Sequence, residues 1–180
     1  MRKLRLKELG RLSVEAFKKQ EKTPLVVVLD NVRSALNVGS VFRTADAFAL
    51  EKIFLCGITA KPPHREILKT AIGATESMQW EYHPSTLEVV NHLKKEGFEI
   101  LSVEQAEHST PLQNFKFHRD SKVALVFGNE VNGVSEVVME VVDACLEVPQ
   151  FGTKHSLNIA VCVGIVVWEL FKKLKFLGPS

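Results

Sequence analysis

The stretch LVVVLDNVRSALNVGSVFRTADAFALEKIFLCG, residues 25–57, decides the fold class. It opens on LVVVL (25–29), a β-branched run without polar alternation, as expected of a strand covered on both faces. A helical pattern runs from about Asn37 to Ala49. Stepping 100° per residue puts Val38, Val41, Phe42, Ala45, Phe48 and Ala49 on one arc of about 120°, the buried face. IFLCG (53–57) is a second strand. The sequence thus opens with a βαβ unit, and its two strands run parallel.

Downstream the alternation continues. Lys61-Pro62-Pro63-His64 is a loop leading into a short helix near 65–70, and Ser85-Thr86-Leu87-Glu88 is a capping box that opens a helix ending at Gly97. FEILSVE (98–104) and KVALVF (122–127) are strands, a helix near 135–142 precedes the short strand LEV (146–148), and a long helix runs from Ser156 to about Lys175. The class is α/β, a mostly parallel sheet flanked by helices. In such sheets ligands bind beyond the carboxyl ends of strands, which directs attention to the loops after Leu29, Ser102, Phe127 and Val148. Upstream, residues 4–21 form a polar-rich helical pattern ended by Thr23-Pro24. Two units are therefore expected, a helical extension over 1–23 and one α/β domain over 24–180.

Composition agrees with one domain: 180 residues, 46% hydrophobic and 24% charged, with no repeat and no biased tract. The net charge of +2 conceals an asymmetry. Residues 1–23 hold eight basic groups against Glu8, Glu15 and Glu21, whereas the remainder is acidic on balance. A basic segment of this kind suits a polyanion, and it equally suits a solvated amphipathic helix. Three scattered cysteines (Cys56, Cys145, Cys162) form no C-x-x-C pair and fit a reducing cytoplasm. No apolar run approaches the roughly 20 residues of a membrane span.

The familiar signatures of nucleotide and hydrolase chemistry are missing: no G-x-x-x-x-G-K-[ST], no G-x-G-x-x-G after a strand, no G-x-S-x-G. The six histidines show no metal-ligand spacing, so no metal is expected. Three loops remain. In DNVRSALNVGSVFR (30–43), Gly39 lies one turn before Arg43 and is expected to leave a groove beside the guanidinium; Asn37 as a helix cap and an Arg43–Asp46 pair are the plainer reading. In LVFGNEVNGVS (125–135), Gly128 follows the strand end and Asn132-Gly133 marks a turn, which lets a ligand approach the backbone and sets Glu130 at a rim; a plain strand-to-helix turn fits as well. In LEVPQFGTKHSLNIAVCVGIVVWEL (146–170), Ser156 can cap a helix that is apolar nearly all round and must be buried on more than one face, in its own core or against a partner.

Taken together and in order, NVGSVFR, GNEVNG and VPQFGTKHSLNIAV closely resemble the motifs of the SpoU/TrmH family, RNA 2′-O-ribose methyltransferases of the SPOUT class. The resemblance spans about Pro24 to Phe171. It implies a C-terminal trefoil knot, S-adenosylmethionine as methyl donor held largely by backbone groups, and a homodimer in which the first motif of one subunit faces the donor of the other. Carried over residue by residue, the catalytic set is Arg43 with Asn37, Glu130, Ser156 and Asn158. The donor pocket is Ser102, Val103, Gly128, Asn129, Gly133, Val148, Pro149, Ser156 and Leu157. Arg43 is either the base that activates the ribose hydroxyl or an anchor for the adjacent phosphate, the second being easier for a guanidinium. Glu130 is expected to hold Arg43 or the donor loop. RNA contacts fall on Arg2, Lys3, Arg5, Lys7, Arg11, Arg33 and Arg43, with tRNA favoured over rRNA and guanosine as the acceptor. The departures (Ser40-Val41-Phe42, Ala49, VPQ and IAVC) sit beside the catalytic positions and bear on substrate identity. A catalytically idle RNA-binding relative and a small-molecule methyltransferase are the competing classes.

Overall fold

A computed structural model describes residues 1–116 and 121–176, apart from the side chains of Leu6 and Lys7. A 3₁₀ turn at Leu6–Leu9 and helix α1 (Val14–Lys19) precede strand β1 (Thr23–Asp30). Then come α2 (Ala35–Ala47), β2 (Leu50–Cys56), α3 (Arg65–Ala71), α4 (Ala74–Ser77), β3 (Trp80–His83), α5 (Thr86–Lys95) and β4 (Phe98–Val103). The chain continues with β5 (Thr110–Pro111), β6 (Lys122–Phe127), α6 (Glu136–Met139), β7 (Ala144–Glu147) and α7 (Ile159–Lys175).

The strands form one sheet of order β3-β2-β1-β6-β4-β7-β5, every pair parallel. The apolar run in β1 is explained by its alternation. Leu25, Val27 and Leu29 face the core beneath α2, α3 and α7, while Val26 and Val28 face the core beneath α5 and α6. β6 divides the same way, with Leu125 and Phe127 on the first face and Ala124 and Val126 on the second.

The expected single helix over 4–21 is two short pieces. Gly10 takes a left-handed φ of 59° that ends the 3₁₀ turn, and Ser13 starts α1 afresh by accepting from the Ala16 N–H at 3.2 Å. Among the described side chains of this segment's apolar residues, Phe17 is buried, while Leu4, Leu9 and Leu12 are exposed. Thr23-Pro24 does not merely break a helix; it begins β1, with Thr23 hydrogen-bonded to Phe48 and Ala49 carbonyls. The helices expected near 135–142 and from Ser156 are shorter, beginning at Glu136 and Ile159. Strands β3 and β5 and helix α4 were not expected from the sequence.

Candidate active site

The loops after β4, β6 and β7 and the start of α7 enclose a cavity of about 520 Å³ at the carboxyl edge of the sheet. Of the residues expected there, Val103, Gly128, Asn129, Glu130, Gly133, Val148, Ser156, Leu157 and Asn158 line it. Ser102 does not. It is fully buried one residue inside β4, with its hydroxyl toward the Ala144 carbonyl at 3.5 Å, because side chains alternate across a strand. Pro149 is likewise absent from the wall, which passes from Val148 to Gln150.

GNEVNG closes on itself. Asn129 and Gly133 exchange both backbone N–H···O bonds at 2.9 Å, and the Asn129 side chain accepts from the Val131 and Asn132 amides. A Cβ at Gly128 would collide with the backbone of Gly133 and Val134, so this position excludes any side chain. Gly133, at φ 70°, lies against the Glu104 carboxylate. The fold of this loop aims Glu130 outward and across to α2.

Glu130 there accepts from the Arg33 and Ser34 amides at 2.9 and 3.0 Å and from Asn37 Nδ2 at 3.2 Å. Partial burial works to raise its pKa, but the Arg33 amide, its own amide, the Ser34 amide and Asn37 together outweigh it and hold the carboxylate below its ordinary range. Glu130 therefore secures the start of α2 and makes no contact with Arg43, one of the two partners that the family resemblance offered for it. Asn37 is not the helix cap either, since Ser34 accepts from the Asn37 N–H at 3.3 Å. Asn37 Oδ1 accepts in turn from Asn158 Nδ2 at 3.1 Å. Asn158 Oδ1 caps α7 by accepting from the Ala160 and Val161 amides at 2.9 and 3.4 Å. Asn158, not Ser156, is thus the cap, since α7 begins at Ile159 and Ser156 stands outside its first turn. One chain of hydrogen bonds, Asn158–Asn37–Glu130, ties all three motifs together.

Arg43 is not part of it. It sits six residues beyond Asn37 on the same helix, about 9 Å further along the axis, and is exposed on a different groove. It has no hydrogen bond or ion pair among the described residues, and the alternative Arg43–Asp46 pair is not made, for Asp46 accepts from Ser77 Oγ at 2.5 Å. Gly39 leaves no open space beside Arg43. A Cβ there would collide with the Ile67 carbonyl and Thr70 Oγ1, so the glycine seats α3 against α2. Of the basic positions, Arg2 forms a bidentate pair with Glu8 at 2.9 and 3.0 Å, Lys3, Arg5, Arg11 and Arg33 are exposed, and the Lys7 side chain lies outside the described residues.

Sequence reading missed the rest of the cavity wall: Glu104, Gln105, Phe127, Val131, Gln150, His155, Ile159 and Cys162. The loops after β4 and β7 meet through Gln105 Nε2, which donates to the His155 carbonyl at 2.6 Å. No motif marks Glu104 or Gln105, although their place directly after a strand was the available signal. Burial, with the nearby Glu104 carboxylate, pushes the Cys162 thiol up to about 11, so it is a neutral wall group rather than a nucleophile. No cluster of potential metal ligands occurs among the described residues, and no described helix is long and apolar enough to cross a membrane.

Residues 24–168 match the SpoU rRNA Methylase family. The chain is 28% identical over 164 residues to an uncharacterized tRNA/rRNA methyltransferase of Borreliella burgdorferi, covering 91% of this chain and 70% of that one. It is 27% identical over 161 residues to a putative TrmH family tRNA/rRNA methyltransferase of Staphylococcus aureus, covering 89% of this chain and 64% of the relative. Among solved structures, an AdoMet-bound rRNA methyltransferase from Sinorhizobium meliloti aligns with a TM-score of 0.78 at 26% identity, over 89% of this chain and 60% of its own. The A. aeolicus TrmH/SpoU tRNA modifying enzyme shares the fold, with a TM-score of 0.78 at 24% identity over 89% of this chain and 81% of its own.

Proposed function

The chain belongs to the SpoU rRNA Methylase family, and from that premise we propose that it methylates the 2′-hydroxyl of a ribose in RNA with S-adenosylmethionine as donor. The observation that carries this reading is the Asn158–Asn37–Glu130 chain, which joins the three family motifs at the rim of one cavity. The cavity suits the donor. Its volume is in the range of small-molecule sites, Val103, Phe127, Val148, Leu157 and Ile159 would give a purine apolar walls, and Glu104 in the same wall would offer a carboxylate to a cationic ligand. Bound there, S-adenosylmethionine would supply an electrophilic methyl on a sulfonium.

The protein's part is placement. The capped start of α7 and the folded GNEVNG loop fix the walls, and the relay fixes the start of α2 against them. Arg43 lies outside the cavity of its own chain, and a homodimer is part of the proposal for that reason: a second copy would bring its Arg43 to the donor. An apolar stripe supports it. Val161, Ile165 and Trp168 are exposed along α7, with Leu157 exposed just before it and Leu36 on α2, although α7 already buries Val163, Val166, Val167 and Leu170 in its own core. A helix apolar on both faces needs two partners. Arg43 would then orient the acceptor and anchor its phosphate. The trefoil knot of the family belongs to the same reading, and the contact between the loops after β4 and β7 accords with it.

The acceptor we propose is tRNA, at guanosine, with the basic arm of residues 1–23 giving affinity without sequence. An rRNA acceptor is the second reading, favoured by the likeness to the S. meliloti enzyme. Transfer of labelled methyl from S-adenosylmethionine to unmodified bulk tRNA and, separately, rRNA tests both, with nuclease digestion locating the label. Label on a 2′-O-methylnucleoside is expected, and Arg43→Ala should abolish it. Donor binding without transfer to either RNA would instead favour a non-catalytic RNA-binding role.

A further inference from the structure

Beside Arg43 runs a second groove, of about 490 Å³, between α2 and α3. The two helices touch at Gly39, where Ile67 and Thr70 fill the space a side chain would need. One turn further along α2 the groove opens. Arg43 and Lys69 stand in its walls, and no carboxylate does. Both cations are exposed and without hydrogen bond or ion pair among the described residues. Asp46, the carboxylate nearest along α2, is turned aside to Ser77.

The remaining walls differ in kind. Phe48 packs against the rings of Trp168 and Phe171, at centroid distances of 5.9 and 5.1 Å, and gives that side of the groove an aromatic wall. Ile72, at φ 50°, is held out into solvent at the end of α3. An exposed isoleucine beside two unpaired cations is a poor surface for water alone and a fitting one for a nucleotide, which is anionic at one end and flat and apolar at the other. The basic arm also enters nearby. α1 packs beside α4, which follows α3, and Lys22 feels the charge of Asp46 in the last turn of α2.

We propose that this groove holds a nucleotide of the RNA, its backbone phosphate between Arg43 and Lys69 and its base or sugar edge against Ile72. The inference rests on the RNA methyltransferase reading above and adds Lys69 to it as a substrate-positioning residue. The groove gives Arg43 a reason to be exposed and unpaired, and it places a phosphate beside the residue that faces the acceptor.

The test is equilibrium binding of a fluorescein-labelled single-stranded oligoribonucleotide, followed by anisotropy across a salt series. Lys69→Ala should weaken binding about three- to tenfold whatever the sequence, and lower the slope of log affinity against log salt by about 0.7. Lys69→Arg should restore both, and Lys95→Ala, on α5 across the sheet, should change neither. Calorimetric affinity for S-adenosylmethionine should stay the same in Lys69→Ala, which a merely misfolded variant could not achieve. Unchanged RNA affinity and salt slope in Lys69→Ala would overturn the inference and leave the methyltransferase reading intact. So would an altered sedimentation coefficient with unaltered RNA binding, which assigns the groove to a second copy of the chain. Wild type that binds the donor and no RNA overturns both.

Discussion

Asn158 performs two tasks with two atoms. Its Oδ1 caps α7, and its Nδ2 donates to Asn37. Aspartate keeps the first and loses the second, and its charge is welcome at a helix N-terminus. Asn158→Asp should therefore melt within a few degrees of wild type. It should nevertheless lose most methyl transfer, because it offers Asn37 no donor and sets a second carboxylate near Glu130. A thermal melt and a transfer assay on the same preparation separate these effects, and a variant that is both stable and fully active would remove the relay from the mechanism. Glu130 makes a complementary prediction about pH. Its native pKa lies below the ordinary 4.5, so its contribution is present above that value and fades as pH falls through the lower native one. Glu130→Gln should cost about 1 kcal/mol at neutral pH, the carboxylate being solvent-exposed, and the gap in melting temperature from wild type should close as pH drops below 4.5.

At the scale of elements, Gly39 is a packing residue, for its backbone is ordinary helix and its need is only for room. Gly39→Ala would favour the helix intrinsically yet drive a methyl into the Ile67 carbonyl and Thr70. Overpacking should win, with a loss of about 1–3 kcal/mol in urea unfolding; a gain in stability would mean that α3 yields freely. The same glycine shows where sequence reading stops. Helical stepping placed it beside Arg43 correctly, but a missing side chain reads the same whether a ligand or a neighbouring helix takes its place. The buried elements were legible because hydrophobic periodicity is written into them, as in β1, β4, β6 and α2. β3 was not, since WEYH at a sheet edge is short and at most half-buried, with Trp80 alone of its four residues packed on the main core and Glu81 paired with Lys52 at 2.8 Å. The second and third motifs located the cavity, and the family resemblance was needed to see the first as part of the same site. What no local pattern carries is pairing at a distance. Asn37, Glu130 and Asn158 could each be picked out, but only the folded chain shows which atom of each meets which.

For the whole molecule, the proposed dimer divides each active site between two chains, and that division can be tested without solving the complex. Arg43→Ala removes the residue a subunit would lend, whereas Asn158→Asp disables the pocket a subunit keeps. Each variant alone should be inactive for a different reason. When the two are mixed and allowed to exchange protomers, half of the dimers pair one chain of each kind. In such a dimer the Arg43→Ala chain still has a sound pocket, and the Asn158→Asp chain still has its arginine to offer. One site of the two is then whole, and the other carries both defects. Activity should return to about a quarter of the wild-type value per chain, and it should vanish again if Ile165→Glu on both chains breaks the apolar stripe of α7. Sites complete within one chain would behave otherwise. The mixture would then show only the average of two inactive proteins at every ratio, and Arg43 would have to reach the cavity by moving α2 away from the relay that now fixes it.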